Sequence, residues 1–275
     1  MSFEEKAEAH NLEYIEQTDI RVKKPHVVFH EENSNLKIVL SNNWVLESNK
    51  LETMMDKPND VSIYSHISFN HLEIAKAFHK KEVVPRQKSG FGTKTLTKQS
   101  LKEYYDYFET IITAVIFAYT AIEAFANNCI PSTYVYTYID KDGTEINRNK
   151  KQIESQATLR DKLKIVIPEI LNCENPTTQK WWTKFTELEN LRNEIIHSKE
   201  SKSEDRYSKL LSTSIISKVE VHKQVIEFFG KAISENKLEL IDEYPNGFGH
   251  DYYKVKKMND QRFKDAIKVI RGENN

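Results

Sequence analysis

The apolar positions of this chain fall into two patterns. Between about residues 98 and 236 they recur at three- and four-residue steps, the spacing of one helix face. Before residue 98 they come in short, β-branched, partly alternating runs, which predict strands. Ile20–His30 and Leu36–Leu46 are two such runs, and His71–Lys81 predicts one short helix between them and the helical block.

Within the block, Phe108, Ile111, Ile112, Val115, Ala118, Ile122 and Phe125 form one stripe. They predict a first helix that opens at a Ser100/Glu103 capping box and runs to Ile130, where Pro131 stops it. Tyr134, Tyr136 and Tyr138 then alternate with Val135, Thr137 and Ile139, and Asp142-Gly143 follows. That is the signal of an inserted β-hairpin. A second helix is predicted over Lys151–Leu171, with Leu159, Leu163, Val166, Ile167 and Ile170 on one side and a kink or stop at Pro168. Asn175-Pro176 opens a third helix, to about Lys199, and a fourth covers about Arg206–Asn236. A turn-rich stretch, Tyr244 to Gly249, precedes a closing helix over Asp260–Ile270. The reading is a mainly α fold in three zones: 1–97, an accessory region of mixed α/β character; 98–236, a helical domain; and 237–275, a C-terminal extension.

Composition narrows the function. Only 7 of 275 residues are glycine, against a usual share of about 7%. Few glycines mean few backbone loops that cradle phosphate, which argues against Rossmann and P-loop chemistry. The two cysteines, Cys129 and Cys173, make neither a disulfide framework nor a four-Cys zinc site. Charge is balanced at net −1, so a basic surface has to be local. The polar, acidic N-terminus is not a secretory signal. The most apolar stretch, Ile111–Ala126, is interrupted by Glu123 and is shorter than a bilayer requires. The expectation is a cytoplasmic protein with no membrane partner.

The candidate chemistry lies late in the third helix. Trp181, Phe185, Leu188 and Ile195 share its core face, and the Trp181-Trp182 pair reads as core and interface. Asn193 and His197, four apart, stand one above the other away from that face. Arg192 falls within the apolar face, about 140° from His197 at roughly 100° per residue. A charged group there needs a partner or a cleft. Its long stem reaches towards Asn193 and His197, while Glu189, three residues earlier, offers an ion pair instead. A guanidinium binds phosphate bidentately, an imidazole trades protons near neutral pH, and an amide orients either. These parts suffice for cleaving RNA through its own 2′-hydroxyl without a metal or other cofactor. One His197 does not serve easily as both base and acid; two copies across a symmetric dimer do. The ordinary reading of the same residues is that Arg and His near a helix end cap its last carbonyls and complement its dipole.

The segment Leu191-Arg-Asn-Glu-Ile-Ile-His197 resembles the signature of the HEPN superfamily. Ala118–Asn128, with its Ile-Glu-Ala-Phe sequence at Ile122–Phe125, is similar to that family's first core helix, and Leu159–Ile165 resembles the helix between. The resemblance covers residues 100–236. It implies an up-and-down helical bundle and a homodimer with paired motifs. It also implies a metal-independent endoribonuclease that leaves 2′,3′-cyclic phosphate ends, of the toxin or abortive-infection, anti-phage type, with an antitoxin or trigger protein as a further partner. By position, Arg192 would bind the scissile phosphate, His197 would act as general acid/base and Asn193 would orient it. Glu123 and Asn127, on one face of the first helix, are supporting candidates. The alternative function is a catalytically silent HEPN-like module that binds a protein partner or nucleic acid.

Other features are weaker. His26, His30 and Glu31 resemble a metal pair, but a strand spreads i and i+4 about 13 Å apart. Gly90–Thr95 lacks P-loop spacing. The connector His79–Lys102, expected as loop, holds Lys80, Lys81, Arg86 and Lys88, and the tail holds Lys256 and Lys257. With Tyr134, Tyr136 and Tyr138 as stacking surfaces, these are the candidates for RNA contact.

Overall fold

The structure is a computed structural model. It describes residues 12–16, 19–23, 26–29, 37–40, 43–88, 92, 94–236, 238, 252–256 and 260–270. In chain order the strands are β1 (Leu12–Glu16), β2 (His26–Phe29), β3 (Lys37–Leu40), β4 (Asn43–Ser48), β5 (Leu51–Asp56), β6 (Val135–Ile139), β7 (Glu145–Asn149) and β8 (Tyr252–Lys256). The helices are α1 (Asp60–Phe78), α2 (Val84–Lys88), α3 (Lys98–Asn128), α4 (Lys150–Gln156), α5 (Leu159–Asp161), α6 (Ile167–Leu171), α7 (Trp182–Ile196), α8 (Ser203–Leu210), α9 (Ile215–Glu235) and α10 (Asp260–Ile270). The protein is mainly helical, as the spacing predicts. Its strands form two-stranded antiparallel ladders: β2–β3, β4–β5, β6–β7, and β1–β8, which joins the two ends of the chain with Leu12 opposite Lys256.

The long helix α3 is the axis of the core. It spans 31 residues, about 46 Å at 1.5 Å per residue. By length and composition it is apolar enough to cross a membrane, a wider apolar span than Ile111–Ala126. Its apolar stripe is taken up by the core, where Ile111, Val115, Ile122 and Phe125 are fully buried with Phe185 of α7 and Val219 and Phe229 of α9. α1 lies in the same core through Val61, Leu72 and Ala75. Small residues face each other where α1 meets α3. Ser65, Ser68 and Ala75 are buried on one helix, Ala114, Ala118 and Ala121 on the other. Helix separation follows side-chain size at the contact, and Ser68 Oγ spans the gap to the Ala114 carbonyl at 2.9 Å.

Several predicted boundaries are corrected. The cap of α3 is Thr97 with Ser100, each side chain accepting from the other's backbone N–H, rather than Ser100 with Glu103. Most of the connector expected as loop is helix. α1 continues from Phe78 through a π turn, His79–Val83, into α2. Pro85 does not break it because the wider turn precedes the ring. Pro168 sits in the same place relative to a second π turn, Lys162–Val166, so the helix runs past it to Leu171. In an α-helix the proline ring would strike the carbonyl four residues back; an i→i+5 turn opens that space. The predicted second helix is instead interrupted at Ala157-Thr158, where Thr158 accepts from the Asp161 N–H at 3.1 Å and starts a new helix.

The predicted third helix begins late. Asn175-Pro176 opens only a 3-10 turn to Thr178, and extended Gln179 separates it from α7. The fourth breaks into α8 and α9 around Ser212–Ser214, residues whose hydroxyls compete for backbone bonds. Two carbonyls at that break are served from outside: Tyr107 donates to Leu210 at 2.6 Å and the His79 ring to Ser212 at 3.0 Å. The β6–β7 hairpin forms as predicted, with the Asp140 carboxylate accepting from the Asp142 and Thr144 N–H groups, each at 2.9 Å. Gly143, at φ 79°, supplies the left-handed position the turn needs.

Candidate functional site

Helix α7 ends at His197, whose backbone leaves the helical region at φ −103°, ψ 51°. Two side chains of α8 hold this end. Arg206 is buried and donates through Nη1 to the Glu194 carbonyl at 3.3 Å. Lys209 bridges the Glu194 carboxylate at 2.8 Å and Asp205 at 2.7 Å. The capping role that a helix end invites is therefore filled by Arg206, from the next helix. Arg192 does something else.

The Arg192 guanidinium carbon lies 4.8 Å from the ring centre of Tyr119 on α3, a cation–π contact. Its Nη1 donates to Asn193 Oδ1 at 3.1 Å. Its Nε is buried and has no hydrogen-bond partner. Among the described residues no carboxylate pairs with it. Glu189, expected as the rival partner, is only 7% exposed and is held by Arg160 of α5 through Nε at 2.9 Å and through Nη2. Asn193 and His197 are both exposed, and the His197 N–H closes the last turn on the Asn193 carbonyl at 2.9 Å. The last turn thus joins the Arg192 guanidinium to the Asn193 amide, while His197, on the same turn, is tied to Asn193 through its backbone alone among the described contacts.

Tyr119, Glu123 and Asn127 repeat every four residues along α3, so they form one row of polar groups in the mostly apolar second half of that helix. Burial, and then Glu189 and Glu123 nearby, push the Tyr119 hydroxyl well above its ordinary range, so it stays a phenol. Farther along the row Asn127 Oδ1 accepts from Lys162 Nζ at 2.8 Å, and Lys162 also donates to the Glu154 carbonyl at 2.8 Å. Lys162 is 1% exposed. Burial pulls its pKa down, while the Glu123 and Glu154 carboxylates push it back up. The structure thus brings Glu123 and Asn127 into the polar row that begins under Arg192. The contacts that sequence reasoning missed are Tyr119, Arg160, Lys162 and Arg206. The four-residue repeat at 119, 123 and 127 was the available signal for the first.

The RNA-contact candidates are dispersed or already engaged. Lys81 lies 3.5 Å from Glu103, Lys94 bridges to Glu82 at 3.3 Å, and Arg86 donates to the Tyr104 hydroxyl at 2.7 Å. Lys80 is exposed on the π turn. Tyr134 and Tyr136 pack on Ile130, Ile153 and Val166, a second small core. Tyr138 stacks on Tyr136 at 5.4 Å, and the Arg148 guanidinium lies 4.9 Å from its ring. The stripe first of all seats the hairpin. Lys88 and Lys256 fall on α2 and β8; Lys257, His30, Glu31, Gly90 and the Tyr244–Gly249 stretch lie outside the described residues. No family model, curated protein or solved structure matches the chain.

Proposed function

We propose that the protein is a metal-independent endoribonuclease with a HEPN-like bundle, working as a homodimer of toxin or anti-phage type. The observation that supports this reading is the state of Arg192, a guanidinium with no carboxylate partner among the described residues, stacked on Tyr119 and donating to the exposed Asn193, four residues before the exposed His197. A stacked, oriented guanidinium is a ready phosphate ligand. In the reaction one His197 imidazole removes the proton of a 2′-hydroxyl as that oxygen attacks phosphorus. The bond from phosphorus to the 5′ oxygen breaks, and the His197 of a second copy returns a proton to it. Arg192 stabilises the extra charge on the pentacoordinate phosphorus. The products are a 2′,3′-cyclic phosphate and a 5′-hydroxyl.

The test is expression of wild type beside His197→Ala and Arg192→Ala, with growth and RNA ends followed. Loss of the proton shuttle or of the phosphate clamp costs about 100-fold or more in cleavage. Both variants should therefore grow normally and leave RNA intact where wild type cuts it. Growth arrest shared by wild type and both variants, or cleavage of DNA lacking the 2′-hydroxyl, would sink the mechanism.

A further inference from the structure

We propose that Arg160 is a positioning residue: it occupies Glu189 and so keeps that carboxylate off Arg192. The proposal deepens the nuclease reading, since it explains how the guanidinium of that site stays open. Glu189 and Arg192 are three residues apart on α7, where side chains stand about 5–6 Å apart at Cβ. A carboxylate buried as deeply as Glu189 must have a cation or a comparable donor. Arg192 is the cation one turn away on its own helix; Arg160 arrives from α5, 29 residues earlier in sequence. The carboxylate is found on Arg160, through Nε at 2.9 Å and Nη2, both to the same oxygen.

Tyr119 sits between the two systems. Its ring carries the Arg192 guanidinium at 4.8 Å, and its hydroxyl faces Glu189, which helps to keep it protonated. The other carboxylate on this seam, Glu123, acts on the buried Lys162. Glu189 is thus paired with a cation other than Arg192. Were Arg160 lost, Glu189 would keep only the neutral Tyr119 hydroxyl, and the guanidinium next to it on its own helix would be Arg192. The ion pair so formed would replace the open phosphate ligand with an internally neutral one.

The distinguishing property is the sign of a double substitution. If Arg160 merely supports the fold, removing Glu189 as well cannot repair its loss. If Arg160 keeps Glu189 occupied, Arg160→Met should harm Arg192 and Arg160→Met/Glu189→Gln should restore it. The readout is the Nε–H NMR signal of Arg192, assigned by its loss in Arg192→Lys, in the full chain. We expect Arg160→Met to move that signal and Glu189→Gln, alone or added to Arg160→Met, to leave it at the wild-type position. Titration with a 2′-O-methyl oligoribonucleotide, which cannot be cleaved, should shift the same signal. Affinity should fall about tenfold or more in Arg160→Met, the worth of one charge-assisted contact, and recover in the double variant.

An unmoved Arg192 signal in Arg160→Met, or a double variant no better than the single one, overturns the proposal. Should Arg160→Met not fold, Glu189→Gln alone decides: an Arg192 signal moved by that substitution shows that Glu189 already engages Arg192, and the proposal falls. A signal that follows the two substitutions as expected but ignores the oligoribonucleotide upholds the role of Arg160 and counts against the nuclease reading.

Discussion

The stability of the bundle should depend on His222 between about pH 6.5 and 4, and the structure gives both sign and size. His222 is 1% exposed on α9, with its Nδ1–H donating to the Val219 carbonyl at 2.7 Å. Burial is the main influence and pulls its pKa from 6.5 down to about 4. The Val219 carbonyl and Glu220 push the other way, and Lys223 adds to the depression. The unfolded chain takes up a proton near pH 6.5, while the folded chain resists until about pH 4. In that window the unfolded state binds more protons, so stability falls as pH falls. Above pH 6.5 the contribution is complete; below about pH 4 it has been lost. At 1.36 kcal/mol per pH unit the full loss is about 3 kcal/mol, of which about 2.5 kcal/mol should be gone between pH 7.5 and 4.5. Urea unfolding of wild type and His222→Gln across that range isolates the effect, because carboxylates titrate alike in both. Asp19, held below the usual carboxylate range by Arg21, is one of them, and it loses its contribution only as pH drops below 3.8. The stability difference between the two chains should shrink by about 2.5 kcal/mol on acidification. Two curves that fall in parallel would refute the buried, neutral imidazole.

Thr97→Ala removes the side-chain acceptor at the start of α3 and should cost about 1 kcal/mol in urea unfolding. Glu103→Ala should change stability by less than about 0.5 kcal/mol, since its ion pair with Lys81 is solvent-exposed. The reverse order would restore the Ser100/Glu103 cap. The Cys129 thiol is fully buried, and burial raises its pKa well above the ordinary value. Its labelling by a thiol reagent should therefore require unfolding, and rapid native-state labelling at Cys129 would contradict that burial.

The sequence spacing located the axis of the fold because α3 repeats its apolar residues so regularly that one face had to be core. The hairpin was legible for a comparable reason: Tyr134, Tyr136 and Tyr138 alternate, and Asp142-Gly143 supplies a turn. Boundaries were not legible where backbone chemistry offers two solutions. Pro85 and Pro168 each signal a break, yet each follows a π turn that absorbs the ring. No residue in His79–Val83 or Lys162–Val166 announces that wider turn. Thr97 and Ser100 are both good cap residues, and which one caps is settled by where the preceding chain turns into the helix.

The site shows the same division. Arg192, Asn193 and His197 are visible in a line of sequence because they lie on one helix end. What Arg192 is free to do depends on residues far from it in the chain. Its alternatives were an ion pair with Glu189 and a cap on the helix end. Arg160 removes the first by taking Glu189, and Arg206 removes the second by donating to the Glu194 carbonyl. Neither can be inferred from periodicity, since each is an arginine whose helical position alone does not say which carboxylate or carbonyl it meets. With both alternatives occupied, Arg192 keeps a stacking partner and an amide and, among the described residues, no paired carboxylate. Its half-buried guanidinium, with Nε lacking a hydrogen-bond partner, has desolvation to offset. Under the proposed nuclease function a phosphodiester, whose oxygens match the donor fork, supplies the anion from outside the chain.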